Sequence, residues 1–360
     1  MIEKEWMLYG AYGYTGRLIA VEAVRRGHKP VLAGRSAKKL EPFARQLGLD
    51  WKAFSLEDAG LLVENIRGSR LVLHAAGPFT YTSDPMIRAC LESGAHYVDI
   101  TGELNVFENT FSYHSSAIDR GVLLLSGAGI DVIPSDCLIK VVVDKLPDAI
   151  ELESAVAAVG QASVGTKRSG LEIIASGGWV RRNGRLVPVP FAKGARDIVF
   201  SDHPRTVIPF PWGDLSTAYR STGIPNITTY VAVPHRLANI LNAFGPMLPK
   251  LLKPRFVRKT LDVIFENFQQ EPDENQLNRK TSHFWARAAA PDGMEVLGWL
   301  ETIEGYQFTA KASVRVVERI LAENPKGALS PAQAFGSDLV MEIKGTNMEV
   351  TPPSRRNSPG

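Results

Sequence analysis

The sequence predicts an α/β protein, an N-terminal Rossmann doubly wound parallel sheet followed by a second, mixed α+β domain. Three observations carry this. The first 145 residues alternate short apolar runs with amphipathic stretches of helical length, the mark of a parallel sheet covered on both faces. A glycine-punctuated loop, "GAYGYTG" at residues 10–16, sits between the first apolar run and the first helical pattern. Beyond Pro147 the texture changes to period-two alternation and Asn-Gly and Asp-Gly turn signals, which suit antiparallel hairpins.

The expected strands are "WMLY" (6–9), "PVLAG" (30–34), "WKAF" (51–54), "RLVLHAA" (70–76), "HYVDI" (96–100) and "GVLLLSG" (121–127). In the first helical pattern Glu22, Arg25 and Arg26 share one face, and Leu18, Ile19, Val21 and Ala23 cover the other side. The boundaries read as residues 1–146 for the nucleotide-binding domain and 147–305 for a mixed α+β substrate or dimerisation domain. Two helical patterns follow within 306–344, packing back on the first domain, and 345–360 has the composition of a disordered tail. Ser330 with Gln333 three residues later forms a capping box for the second of these helices.

At 360 residues the chain is long enough for two packed domains, and 22% charged residues is ordinary for a globular protein. A net charge of +3 gives no reason to expect nucleic acid binding. Two cysteines, Cys90 and Cys137, exclude a disulfide framework and suit a reducing, cytoplasmic setting. The charged start "MIEKEW" reads as no signal peptide, and no apolar run reaches the ~20 residues that span a bilayer. The scattered histidines and two cysteines show no metal-ligand spacing, so no metal is expected.

Gly10, Gly13 and Gly16 supply the turn, the close approach to pyrophosphate and the tight helix packing that a dinucleotide loop needs. Tyr12, Tyr14 and Thr15 complete this loop, whose amides open a helix with its positive dipole end. The second strand ends "AGRSAKK", with no acid to accept from a ribose 2′-hydroxyl. Arg35, Ser36 and Lys38 stand there instead, and a guanidinium can hold a 2′-phosphate with two hydrogen bonds. The cofactor reads as NADP.

With those residues in place the chain resembles the saccharopine dehydrogenase-like family, in the branch that includes trans-acting enoyl reductases. The resemblance rests on "GAYGYTGRL", "AGRSAKKL", "AAGPF", "DPMIRACLESGAHYVDITGE", "GAGIDVIPSD" and "VGTKRS", dense from residue 5 to about 140 and sparser beyond. It implies an NADP-binding Rossmann domain, a second domain for substrate or dimerisation, and oxidoreductase chemistry. Where many relatives read Gly-Pro-Tyr-x-x-Tyr-Gly, this chain has Phe79, Thr82 and Ser83, so two phenol hydroxyls are replaced.

Ligands of such sheets sit beyond the carboxyl ends of the strands. There Ala76, Gly77 and Pro78 bring backbone toward the cofactor, as does Gly102 in "DITGE". Asp99 in the same stretch is a proton donor if its pKa is raised, or a loop holder bonding backbone amides; Thr101 and Glu103 are equally helix caps. Asp131 in "GIDVIPSD" orients the nicotinamide or substrate, while Ser135 or Asp136 caps a helix started at Pro134. In the second domain Lys167 and Arg168 open a helix as charge partners for a substrate group, or as solvated bases.

The reaction expected is NADPH-dependent reduction of a polarised C=C in an enoyl-type, acyl-bearing small molecule. A saccharopine-like C=N substrate is the alternative, with Lys167, Arg168, Arg181, Arg182 and Arg185 as cations. A non-catalytic NADP sensor or scaffold is the third reading. The apolar and basic stretch 236–268 suits a pocket wall, an interface in a homo-oligomer or peripheral contact with lipid.

Overall fold

The computed structural model describes residues 6–157, 163–254, 256–258, 260–261 and 281–355. The chain begins β1 (Trp6–Tyr9), α1 (Tyr14–Arg25), β2 (Val31–Gly34), α2 (Ala37–Leu47), β3 (Trp51–Ala53) and α3 (Ala59–Ile66). It continues β4 (Leu71–His74), α4 (Phe79–Ser93), β5 (His96–Asp99), α5 (Leu104–Ser112), α6 (His114–Arg120) and β6 (Leu123–Leu125). Next come α7 (Ile133–Asp144), β7 (Glu151–Ala157), α8 (Val164–Ser176), β8 (Gly178–Arg182), β9 (Arg185–Val189), β10 (Arg196–Val199) and β11 (Pro204–Pro209). These are followed by α9 (Asp214–Thr222), β12 (Asn226–Ala232), α10 (His235–Phe244), α11 (Leu248–Leu252), β13 (Thr281–Ala289) and β14 (Met294–Ile303). The chain closes with α12 (Gly305–Glu323), β15 (Gly327–Ala328), α13 (Pro331–Phe335), β16 (Asn347–Val350) and β17 (Ser354–Arg355).

Two units result, residues 1–131 with 306–334, and 132–305 with 335–360. In the first, seven strands run in the order β15-β6-β5-β4-β1-β2-β3, and every pair is parallel. The order reverses between β1 and β4, which opens a crevice beyond the carboxyl ends of the strands where such sheets bind ligands. The central strands β1, β2, β4 and β5 are buried throughout, as uniformly apolar strands with helices on both faces must be.

The long C-terminal helix α12 belongs to this unit. Its Glu318 pairs with Arg26 at 3.2 Å, and Arg26 also bonds Glu22 at 2.7 Å. That coverage explains why Glu22 is buried while Val21, expected on the apolar side, is exposed. The capping box forms as expected: the Ser330 hydroxyl accepts from Gln333 N, and Ser330 N donates to the Gln333 side chain. The second C-terminal pattern yields only the short α13 and a 3-10 turn at Ser337–Glu342.

The second unit holds a mixed sheet in the order β10-β11-β12-β7-β13-β14-β16, in which β12 and β7 run parallel. Both expected hairpins form, β8 with β9 across Asn183-Gly184 and β13 with β14 across Asp292-Gly293. The Trp299 indole of β14 donates to the Val199 carbonyl at 2.9 Å, although β10 and β14 lie near opposite ends of the order. The sheet therefore rolls up, and Ile198, Phe200, Val207, Tyr230 and Trp285 fill its inside.

Two boundaries differ from the sequence reading. The first unit ends at Asp131, not near 146, because α7 packs on β13 and β14. Leu138 and Val142 crowd Gly298 so closely that a Cβ there would come within 2.6–2.8 Å of them. The tail expected to be disordered from 345 instead forms β16 and β17, which pair with β14 and satisfy its otherwise open edge. Residues 356–360 and 262–268 lie outside the described residues.

Candidate nucleotide and acid site

The phosphate loop is built by close approach. Gly10 has φ +89°, and its amide donates to the Ala33 carbonyl of β2 at 2.8 Å. A Cβ on Gly10 would lie 2.7–2.9 Å from the Ala75–Ala76 backbone, and one on Gly16 would overlap the Gly10 carbonyl oxygen. Only glycine permits the loop to fold between β1 and β4 and α1 to sit on it. Gly13 caps α1 with no side-chain bond, and the first turn holds no acid. The amides of the first turn, which have no intrahelical acceptor, and the helix dipole are thus presented to an anion.

Tyr12 lies flat against the end of β2. A Cβ on Gly34 would sit 2.6 Å from Tyr12 Cε1, and the Lys39 ammonium stands 5.9 Å from the ring centroid. Arg35 and Lys38 follow, both exposed, and Ser36 occupies the N-cap of α2 without using its hydroxyl as a cap. Among the described residues neither Arg35 nor Lys38 has an ion-pair partner. A free guanidinium, a hydroxyl and an ammonium at this strand end fit a 2′-phosphate. Tyr14 reaches the C-terminal segment, its ring edge-on to Tyr306 at 4.9 Å.

The loops after β4, β5 and β6 are tied together by two carboxylates. Asp99 is fully buried; it accepts from Thr101 N and Gly127 N at 3.0 Å, and from the hydroxyls of Tyr97 and Ser126 at 2.8 Å. Burial pushes its carboxyl up to about 6, against the pull of those four bonds. Of the two roles expected for Asp99, these four bonds suit the loop holder. Glu103 accepts from Phe79 N at 2.9 Å, Thr80 N at 2.7 Å and the Thr80 hydroxyl at 2.5 Å. It therefore caps α4, not its own helix, and fixes the turn through Ala76, Gly77 and Pro78, where the Gly77–Pro78 bond is cis. The Thr82 hydroxyl donates to the Ala76 carbonyl at 2.8 Å from the other side.

Asp131 differs in kind. It keeps part of its surface in solvent, yet crowding around the carboxyl and the nearby charge of Glu103 push its pKa up to about 7. Gly102 makes room for it: a Cβ there would come 3.2 Å from Asp131 Cβ and 3.3 Å from Oδ2. The stretch leading to Asp131 is held by α12, whose Thr309 hydroxyl accepts from Ile130 N at 3.1 Å and packs on Gly129. Gly102, Glu103 and Asp131 thus form one acid cluster within the first unit.

Lys167 and Arg168 lie in the second unit, in the first turn of α8, whose N-cap Ser163 accepts from Thr166 N at 3.2 Å. Both are half-buried. Arg181, expected among the cations for a C=N substrate, is 5% exposed; it donates to the Leu215 and Gly184 carbonyls and stacks 4.2 Å from the Tyr219 ring. His74 is a core residue among Tyr9, Phe79 and Tyr97, and burial lowers it to about 3. Among the described residues no group of three or more His, Cys, Asp or Glu side chains is placed to hold a metal.

Glu103 was expected to cap its own helix, and its bonds to α4 were not foreseen; neither were Tyr306 and Thr309. The last two come from about 175 residues beyond Asp131, and no contiguous motif links them to it. The capping role of Glu103 had a local signal, a carboxylate immediately before the helix that starts at Leu104, but its target is another helix.

The order of the parallel strands, the glycine loop and the acid-free strand end define a Rossmann nucleotide-binding unit. Residues 6–125 match the family model of the saccharopine dehydrogenase NADP binding domain, a third of the chain, and the match indicates NADP as the cofactor. A trans-acting enoyl reductase of Mycobacterium tuberculosis is 34% identical over 142 residues, 37% of this chain and 34% of that protein. A human saccharopine dehydrogenase-like oxidoreductase is 30% identical over 150 residues, 36% of this chain and 35% of its own length. The matches span about a third of these relatives. Among solved structures, apo saccharopine dehydrogenase (L-Glu forming) from Saccharomyces cerevisiae aligns over 96% of this chain and 99% of its own with TM-score 0.63. At 11% identity that likeness concerns the fold.

Proposed function

We propose that the chain is an NADPH-dependent oxidoreductase that reduces a polarised C=C bond of an enoyl-type substrate, with Asp131 as the proton donor. The observation that carries this reading is the pairing, in one unit, of a phosphate loop with a carboxyl group whose pKa lies near 7. A general acid works best when its pKa lies near the working pH. NADPH, when bound, supplies the hydride.

The residues divide the remaining work. The first-turn amides of α1, with Thr15 and Gly16, bind pyrophosphate, and Arg35, Ser36 and Lys38 hold the 2′-phosphate. Ala76, Gly77, Pro78 and Gly102 set the backbone wall that orients the nicotinamide end. Asp131 keeps its proton near neutral pH and releases it to the carbanion that hydride addition leaves on the acyl group. Two observations favour an enoyl over an imine substrate: the matched reductase carries that activity in its name, and Arg181 is withdrawn from the cation set a dicarboxylate imine needs. Lys167 is proposed as the charge partner for a carbonyl or anionic substrate group, from the start of α8. Two buried, unpaired thiols fit a cytoplasmic enzyme.

The test is NADPH oxidation across panels of enoyl thioesters, imines and carbonyls. Turnover confined to enoyl thioesters supports the reading. Turnover of imines alone replaces the substrate class, and tight NADPH binding with no turnover on any panel overturns it.

A further inference from the structure

We propose that α10 and α11 present a docking face for an anionic lipid bilayer surface. Leu237, Ile240, Phe244, Met247 and Leu251 recur at steps of three and four along α10, the following 3-10 turn and α11. They are 42, 55, 62, 60 and 62% exposed, and Phe256 beyond them is 72% exposed. A helix needs one apolar stripe to pack, and this segment already has it. Ala238, Leu241 and Leu248 face Phe191, Ala192 and Ile208. Among the described residues it is the first stripe that seats the segment on the core, and six large exposed side chains in one run exceed the scattered apolar residues normal on a surface.

Charge decides the occupant. From Leu215 to Leu261 the sequence contains no Asp or Glu. Arg236, Lys250 and Lys253 are exposed beside the stripe, whereas Arg258 is engaged by Glu172 at 3.1 Å. A second copy docking through the same stripe would set like charges against each other, and an anionic bilayer gives them the opposite sign. Apolar residues on one side with bases at the rim are what an interfacial helix requires. The segment lies on the surface and does not cross it, since no described helix is long and apolar enough to span a membrane. It is also fixed in place: the Asn242 side chain accepts from Gly194 N at 2.9 Å, so the face is preformed.

Flotation of the full chain with vesicles tests this, using phosphatidylcholine alone and phosphatidylcholine mixed with phosphatidylglycerol. The protein is expected to float with the mixed vesicles and stay behind with the neutral ones at about 0.1 M salt. Lys250→Gln with Lys253→Gln is expected to weaken binding about 25-fold, roughly fivefold per base near such a surface. Phe244→Ser with Phe256→Ser is expected to abolish it, with NADPH binding retained as the control for folding. Absence of wild-type binding to the mixed vesicles overturns the proposal, as does binding that neither pair of substitutions changes. Concentration-dependent self-association that Phe244→Ser abolishes overturns it in favour of a second copy.

Discussion

Gly102 lies against Asp131 so closely that a methyl group on it would stand 3.3 Å from the carboxylate oxygen Oδ2. The contact is tighter than ordinary van der Waals packing, so the absence of a side chain at 102 sets where the acid points. Gly102→Ala is expected to move the carboxyl by a few tenths of an ångström and lower kcat about tenfold, with Kd for NADPH nearly unchanged. A misplaced acid loses rate more than binding. An equal loss in both would mean that Gly102 serves cofactor binding alone.

With Asp131 as the proposed acid, its titration is expected to set the pH profile. Its pKa rises from 3.8 to about 7, so the protonated form persists up to neutrality and kcat should fall as pH rises through about 7. The same shift acts on stability. The folded state binds this proton more tightly than the unfolded chain, so the contribution of Asp131 to stability is fully present below about 4 and is lost between about 4 and 7. Asp131→Asn should abolish the kcat limb. At pH 8 it should raise stability over the wild type by about 2 kcal/mol, roughly half of what the full shift implies because the group stays partly in water. At pH 4 the two should be equal. A limb that persists in Asp131→Asn would assign it to another group.

Glu103 acts on two neighbours at once. It caps α4 through the Phe79 and Thr80 amides and raises Asp131 by repulsion. Glu103→Gln keeps an acceptor for the cap but removes the charge. Thermal stability is expected to fall by about 1 kcal/mol, and the kcat limb to move to lower pH. A loss of stability with an unmoved limb would uncouple the two carboxylates.

At the other end of the cofactor, Arg35→Asp should weaken NADPH by about 10- to 100-fold, the loss of a charged bidentate bond plus repulsion. NADH binding should change little. Equal losses for both nucleotides, measured by fluorescence titration, would move the 2′-phosphate away from β2.

Asp99→Asn separates the loop-holding role of that residue from a role as proton donor. It replaces an acceptor for four bonds by a group with two donors, inside a fully buried site. A destabilisation of about 3 kcal/mol is expected, and kcat per folded molecule should remain within a few-fold. Loss of kcat with stability intact would restore Asp99 as the acid.

Much of the first unit was legible in sequence because its signals are local. The apolar runs at 6–9, 30–34, 70–76 and 96–100 all become parallel strands, and Gly10, Gly13 and Gly16 stand where the backbone closes. The end of this unit was not legible: α7 is apolar on its sheet-facing side whichever sheet it covers, and only packing on β13 and β14 decides. For the same reason residues 347–355 read as a tail. Their strands are short, with only Met348 and Val350 alternating inward, and the edge of β14 is what orders them. Asp99 and Asp131 look alike as acids in loops; the Ser126 hydroxyl and Gly127 amide on Asp99, and the Gly102 backbone against Asp131, are tertiary contacts that no local pattern shows.

The most direct measurement is single-turnover oxidation of bound NADPH by an enoyl thioester, with the wild type and Asp131→Asn compared at pH 6. The expected result is rapid oxidation by the wild type and a rate at least about 100-fold lower for the variant, with equal NADPH affinity. Equal rates in the two proteins, or bound NADPH that no enoyl thioester oxidises, would contradict the reading of Asp131 as the acid of an NADPH-dependent enoyl reductase.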